Sequence, residues 1–165
     1  MTESIPFDRI ADRYDETRGG LPRGRAVADV LGRHLADRGR VLEVGVGTGV
    51  VATALADHAQ SVVGVDLSPA MLTRAHERLG SVVALADATV LPIADTSVDS
   101  VVAVWVLHLV GDPAVVVAEA RRVLRPGGHF VAVGGHPEYA DDDAAPYWAG
   151  LEPLRRRDTK DDMRA

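Results

Sequence analysis

Val41-Leu42-Glu43-Val44-Gly45-Val46-Gly47-Thr48-Gly49 is the stretch that decides the fold of this 165-residue chain. An apolar, β-branched run passes into three alternating glycines, and the glycines lead into a helical pattern. Glycine permits a sharp turn and lets a ligand approach the backbone with no Cβ in the way. In open α/β sheets, ligands bind beyond the carboxyl ends of the strands. A small molecule is therefore expected across Gly45–Gly49. The competing reading of a glycine-rich loop on its own is a tight turn with no ligand.

Outward from this stretch, short β-branched runs alternate with helical patterns. Residues 41–46, 61–66, 82–86, 98–107 and 129–134 read as strands. They are nearly continuous apolar runs, as expected of a parallel sheet covered on both faces. Residues 21–38 carry Val27, Val30, Leu31 and Leu35 at helical spacing, and 48–58 carry Val51, Ala54 and Leu55. Ser68-Pro69 offers an N-cap and a first-turn proline for a helix to about Leu79, and Asp112-Pro113 does the same for one ending near Leu124. Arg125-Pro126-Gly127-Gly128 reads as the breaker after it. The first 19 residues read as an amphipathic helix with Ile10, Ala11 and Tyr14 on one side, ending at Gly19-Gly20. Repeated strand–helix–strand units imply right-handed crossovers and a doubly wound α/β sandwich.

Composition narrows the function classes. The length suits one domain. A net charge of −6 argues against a general nucleic-acid binder, and 4% aromatic residues argue against a base-stacking platform. Cysteine is absent, which removes disulfide scaffolds, thiol chemistry and cysteine-ligated metals. No positive-then-apolar leader opens the chain, and the longest apolar run, Val101–Val110, is too short to span a bilayer. A cytoplasmic location without membrane partners is the expectation.

Two acids extend the glycine motif. Asp66 ends the second strand, where a carboxylate can accept from both ribose hydroxyls. Asp87 ends the third, where it could accept from an adenine amino group while the Ala88 N–H meets a ring nitrogen. Each has a plainer reading, as an Asx turn or helix cap before Ser68-Pro69 and as a loop-start aspartate. Three successive strand tips carrying the expected group is a more specific observation than any one of them.

With these residues the chain resembles the S-adenosylmethionine-dependent methyltransferases of Rossmann-like fold, in the small-molecule group of ubiquinone and menaquinone biosynthesis. The resemblance spans roughly residues 5–135. It rests on FDRIADRYD from Phe7, LEVGVGTG from Leu42, VVGVDLSPAMLTRA from Val62, ALADATVLPIADTSVDSVVAVWVLHLV from Ala84, and EARRVLRPGG from Glu119. It implies a mostly parallel sheet of strand order 3-2-1-4-5. It also implies S-adenosyl-L-methionine as cofactor. Gly45, Gly47 and Gly49 would carry the loop against its methionine part, and Glu43 would orient its amino group. Asp66 would bind the ribose, Leu67 would lie against the adenine, and Asp87 and Ala88 would read the adenine edge. Trp105 would line the floor beneath the sulfonium. Tyr14 and Arg18 would close over the cofactor, with Arg18 near its carboxylate.

The charge pattern suits that ligand. A sulfonium zwitterion without phosphate fits among three carboxylates that would repel a pyrophosphate. The cofactor brings its own leaving group, so neither metal nor covalent nucleophile is needed. His108, after the fourth strand, is the candidate general base; a packed or solvent-facing loop histidine is the stronger reading of it. His129 and His136 show no metal-ligand spacing.

The expected domains are an N-terminal cap over 1–20, a cofactor domain over 21–135 and a polar tail over 136–165. That tail, with Arg155-Arg156-Arg157, is too short and polar for the last helix and antiparallel hairpin usual in the family. Phe130, Val131 and Val133 would then form an apolar edge, covered by the tail or by a second subunit in a homodimer. Two other readings stay open. One is an NAD(P)-dependent oxidoreductase, since Gly47-Thr48-Gly49-Val50-Val51-Ala52 fits a dinucleotide pattern ending in alanine. The other is a non-catalytic or truncated cofactor-binding relative.

Overall fold

The computed structural model describes residues 6–36 and 39–134. Five parallel strands, β1 (Arg40–Val44), β2 (Ser61–Asp66), β3 (Val83–Leu85), β4 (Val98–Val104) and β5 (Leu124–Val133), lie in the order β3-β2-β1-β4-β5. The helices are α1 (Tyr14–Arg18), α2 (Gly20–Leu31), α3 (Val50–Leu55), α4 (Pro69–Leu79) and α5 (Pro113–Val123). The order 3-2-1-4-5 is the one expected.

Strand alternation builds a core on each face. Val41, Val62, Val102 and Val104 pack with Ala28 and Leu31 of α2, Val51 and Leu55 of α3, and Ala75 of α4. Leu42, Val44, Val65, Val101 and Ala103 pack on the opposite face with Val116, Ala120 and Val123 of α5. Side chains two apart on a strand share a face, so Glu43 falls on the first face, between Gly64 of β2 and Val102 of β4. A carboxylate thus occupies a position the pattern assigns to the core.

The helix starts behave as read. The Ser68 hydroxyl accepts from the Met71 N–H at 3.1 Å, and the Asp112 carboxylate accepts from Ala114 N–H at 2.9 Å. Both satisfy amides that a helix leaves open at its first turn.

Several boundaries differ. β1 stops at Val44 because Gly45 takes φ +70°, and β4 stops at Val104 because Trp105 takes φ +52°. Helix α2 ends at Leu31, with Gly24, Ala28 and Leu31 inward and Val30 54% exposed. α3 begins only after the glycine loop. The expected breaker at Arg125–Gly128 lies inside β5: Val98 pairs with Leu124 and Ser100 with His129, so the intervening residues bulge out of register. The N-terminal segment is two short 3₁₀ turns (Pro6–Arg9 and Ala11–Arg13) followed by α1, not one amphipathic helix, and Ile10 is exposed. The tail over 136–165, with His136 and Arg155–Arg157, lies outside the described residues. No helix among the described residues is long and apolar enough to cross a membrane.

Candidate functional site

The carboxyl tips of β1 and β4 open onto a cleft. The N-terminal segment forms its other wall. Of the expected residues, Tyr14, Arg18, Glu43, Gly45, Gly47 and Trp105 line it. Gly49, Asp66, Leu67, Asp87, Ala88 and His108 are not in its wall.

Glu43 is the chemical centre of this cleft. It is 2% exposed, and its Oε2 has no hydrogen-bond partner among the described residues. Burial pushes its carboxyl well above the ordinary value of 4.5, the neighbouring Asp66 charge adds to this, and the Ala52 N–H offsets part of it. An unpaired buried carboxylate is costly, and a cationic group placed beside it removes that cost. A hydrogen-bond donor, and a cationic one above all, would meet this open oxygen.

Gly47 and Gly49 do different things. Gly47 (φ +55°) has nothing within 4 Å of where a Cβ would stand, so its face is open to a ligand. Its N–H donates to Asp66 Oδ2 at 2.8 Å. Gly49 (φ +80°) is the N-cap residue before α3, and a Cβ there would meet Ala75 of α4 at 3.2 Å and Leu79 at 3.0 Å. Close helix packing, not a ligand, requires glycine at that position.

Asp66 Oδ1 accepts from the Ser68 N–H at 2.9 Å, an Asx turn, while Oδ2 holds the loop. Burial raises its carboxyl above the usual range, against the lowering effect of N–H groups from Ser68, Gly47 and Leu67. Asp87 is exposed and accepts from both the N–H and hydroxyl of Thr89, at 2.8 and 2.7 Å. The plainer readings of both acids are therefore realised. Each Asp66 oxygen keeps a second lone pair for a ligand donor, whereas Thr89 takes both sites of Asp87 Oδ1 and leaves Oδ2 for one. Leu67 is 39% exposed beside Asp66, and Ala88 is buried. Strand order sets the ends of β2 and β3 in turn beside the end of β1, and Asp87 and Ala88 follow β3, which stops at Leu85. His108 stands exposed on the short turn Leu107–Leu109.

The wall formed by α1 and α2 contains Asp15 and Arg23, which the sequence did not single out. The Arg23 guanidinium lies 3.8 Å from the Trp105 ring centroid, a cation–π stack within the cleft wall. Arg18 stands 6.0 Å from the Tyr14 ring, and Phe7 packs edge-on against Tyr14. Trp105 holds its left-handed backbone while its N–H donates to Val133 O at 2.8 Å. Such a conformation in a bulky residue marks an enforced position. Asp15 also lines the cleft and binds Thr48 and Arg78. The Arg23–Trp105, Asp15–Thr48 and Asp15–Arg78 contacts join distant stretches of chain, for which no local pattern exists.

Comparison with known proteins identifies the family. A family model described as a methyltransferase domain matches residues 42–132. The chain is 38% identical over 141 residues to the demethylmenaquinone methyltransferase of Renibacterium salmoninarum, covering 81% of this chain and 59% of that protein. It is 40% identical over 130 residues to the phosphatidylethanolamine N-methyltransferase of Cereibacter sphaeroides, covering 73% and 62%. Among solved structures, the CcbJ methyltransferase of Streptomyces caelestis superposes with a TM-score of 0.67 at 32% identity, covering 79% of this chain and 57% of that one. The chain thus spans about three fifths of the length of the curated relatives it matches.

Proposed function

The chain belongs to the methyltransferase-domain family, and from that premise we propose that it transfers a methyl group from S-adenosylmethionine to a small-molecule acceptor. The observation that carries this reading is the orphaned carboxylate oxygen of Glu43, buried at the wall of a glycine-lined cleft. When bound, S-adenosylmethionine supplies a methyl group on a cationic sulfur that leaves as a neutral thioether.

The protein's task is then to bind and to orient. Glu43 holds the ammonium group, and the open backbone at Gly47 allows close approach. Arg18, at the opposite wall, takes the carboxylate. Asp66 receives ribose hydroxyls on the lone pairs that Gly47 and Ser68 leave free. Leu67 supports the adenine, while Asp87 and the Ala88 N–H meet its edge. Trp105 forms the floor. Tyr14 excludes water from above. Gly49 contributes indirectly, by letting α4 pack against the loop. His108 is exposed and outside the cleft wall, so its part as a base requires the turn Leu107–Leu109 to move inward.

Members of this family named above act, by their names, on a quinone precursor and on a phospholipid amine. On this reading the protein works in the cytoplasm, and either C-terminal residues or a second subunit cover the β5 edge.

The test is transfer of isotopically labelled methyl from S-adenosylmethionine to a panel of small quinols, phenols and amines. Labelled product supports the reading. A folded protein that binds S-adenosylhomocysteine yet labels no acceptor contradicts the transferase half and favours a cofactor-binding relative.

A further inference from the structure

Three separate pieces of chain meet at Thr48, in the glycine loop. Its hydroxyl donates to Asp15 Oδ1 of α1 at 2.6 Å. Its carbonyl accepts from Arg78 Nη1 of α4 at 2.5 Å. Arg78 Nη2 closes the ring by donating to Asp15 Oδ2 at 2.5 Å. Thr48 is 2% exposed, and the Asp15 and Arg78 side chains are 25% and 28% exposed. Asp15 lines the cleft, whereas Arg78 does not.

Two further aspartates lay the same segment along α4. Asp8 accepts from the Ser68 hydroxyl at 2.5 Å and from the Ala70 N–H at 3.3 Å, and Asp12 pairs with Arg74. Among these contacts, only Arg78 binds the cap and the glycine loop at once. A planar guanidinium suits this, because its fork presents two donors in fixed directions.

We propose that Arg78 is a positioning residue that clamps the cap to the glycine loop through Asp15 and Thr48, and so sets how long the cofactor stays bound. This rests on reading the cleft as the S-adenosylmethionine site. On that reading the ligand lies between Gly47 and the wall that carries Tyr14, Asp15 and Arg18, and drawing that wall away from the loop to release it breaks the ring at Asp15. The clamp is partly exposed, so added salt weakens it.

The experiment measures the affinity and dissociation rate of S-adenosylhomocysteine in the wild type, Arg78→Met, Arg78→Lys and Thr48→Val. Amide exchange without ligand is followed in parallel. Methionine keeps the apolar stem and the helix propensity of α4. Arg78→Met is expected to weaken binding about tenfold through faster dissociation, and to speed exchange over both 14–18 and 47–49. Arg78→Lys recovers part of the loss, and Thr48→Val, which keeps its shape, falls between. The proposal is overturned if Arg78→Met lowers the melting temperature yet leaves affinity and dissociation rate at wild-type values. Exchange raised along α4 alone overturns it too. A wild type that binds no S-adenosylhomocysteine overturns the cleft reading instead, and exchange at the two distant segments then decides the clamp.

Discussion

Gly47 donates its backbone N–H to the Asp66 carboxylate at 2.8 Å, so the tip of β2 holds the glycine loop in place at the tip of β1. The acid assigned to the ribose is also part of the scaffold. Asp66→Asn keeps the shape but offers one carbonyl oxygen where Gly47 and Ser68 now use two oxygens. Losing a hydrogen bond to a charged group costs about 1.5–3 kcal/mol. Affinity for S-adenosylhomocysteine should fall roughly tenfold to a hundredfold by calorimetry, and a variant that binds like the wild type would show that Asp66 matters to neither loop nor ligand.

The glycines should separate stability from binding. Gly49→Ala places a methyl 3.2 Å from the Ala75 Cα at φ +80°, and strain plus overpacking should lower stability by about 1–3 kcal/mol. Gly47→Ala meets no neighbour within 4 Å, so its fold should lose only the backbone strain of about 1–2 kcal/mol. Its ligand affinity should fall much further, because the new methyl occupies the open face. Thermal melts and titrations of the two variants give opposite rankings if this is right.

Glu43 makes stability depend on pH in an unusual direction. Its folded-state pKa lies well above 4.5 because of burial, then Asp66. The folded protein therefore keeps a proton that the unfolded chain releases near 4.5, and stability falls as pH rises from there toward the elevated value. Glu43→Gln removes this loss. Its melting temperature should exceed the wild type's by a margin that grows across that window and then levels off. A constant or vanishing margin between pH 4 and 8 would mean that Glu43 is not held in a desolvated site.

Glu119 behaves in the opposite sense. Hydrogen bonds from the Arg122 side chain, then the Leu91 N–H, pull its carboxyl down to about 2. Arg122 also donates to the carbonyls of Leu91 and Ile93, so the pair braces the loop before β4. A depressed pKa contributes stability above the ordinary value of 4.5, and that contribution is lost as pH falls toward about 2. Glu119→Gln should melt lower than the wild type at neutral pH, with the two curves converging in acid.

The sheet was legible because parallel strands buried on both faces must be nearly all apolar, and five such runs stand between helix signals. Ser68-Pro69 and Asp112-Pro113 were legible because caps act within a few residues. The start of β5 was not, since Leu124 becomes strand only through its pairing with distant Val98. The N-terminal segment misled for a similar reason. Its spacing suggested a helix, but Asp8, Asp12 and Asp15 are held by α4 and the glycine loop, and that docking overrides the period. Glu43 and Gly47 were found because the motif is contiguous. Arg23, Asp15 and Arg78 were missed because each matters through a partner far along the chain.

The most direct measurement is a calorimetric titration of S-adenosylhomocysteine into the wild type and Glu43→Gln at neutral pH. The account predicts micromolar binding by the wild type and affinity at least about tenfold weaker in the variant, whose melting temperature is nonetheless higher. No heat from the folded wild type, or equal affinity in both proteins, contradicts it.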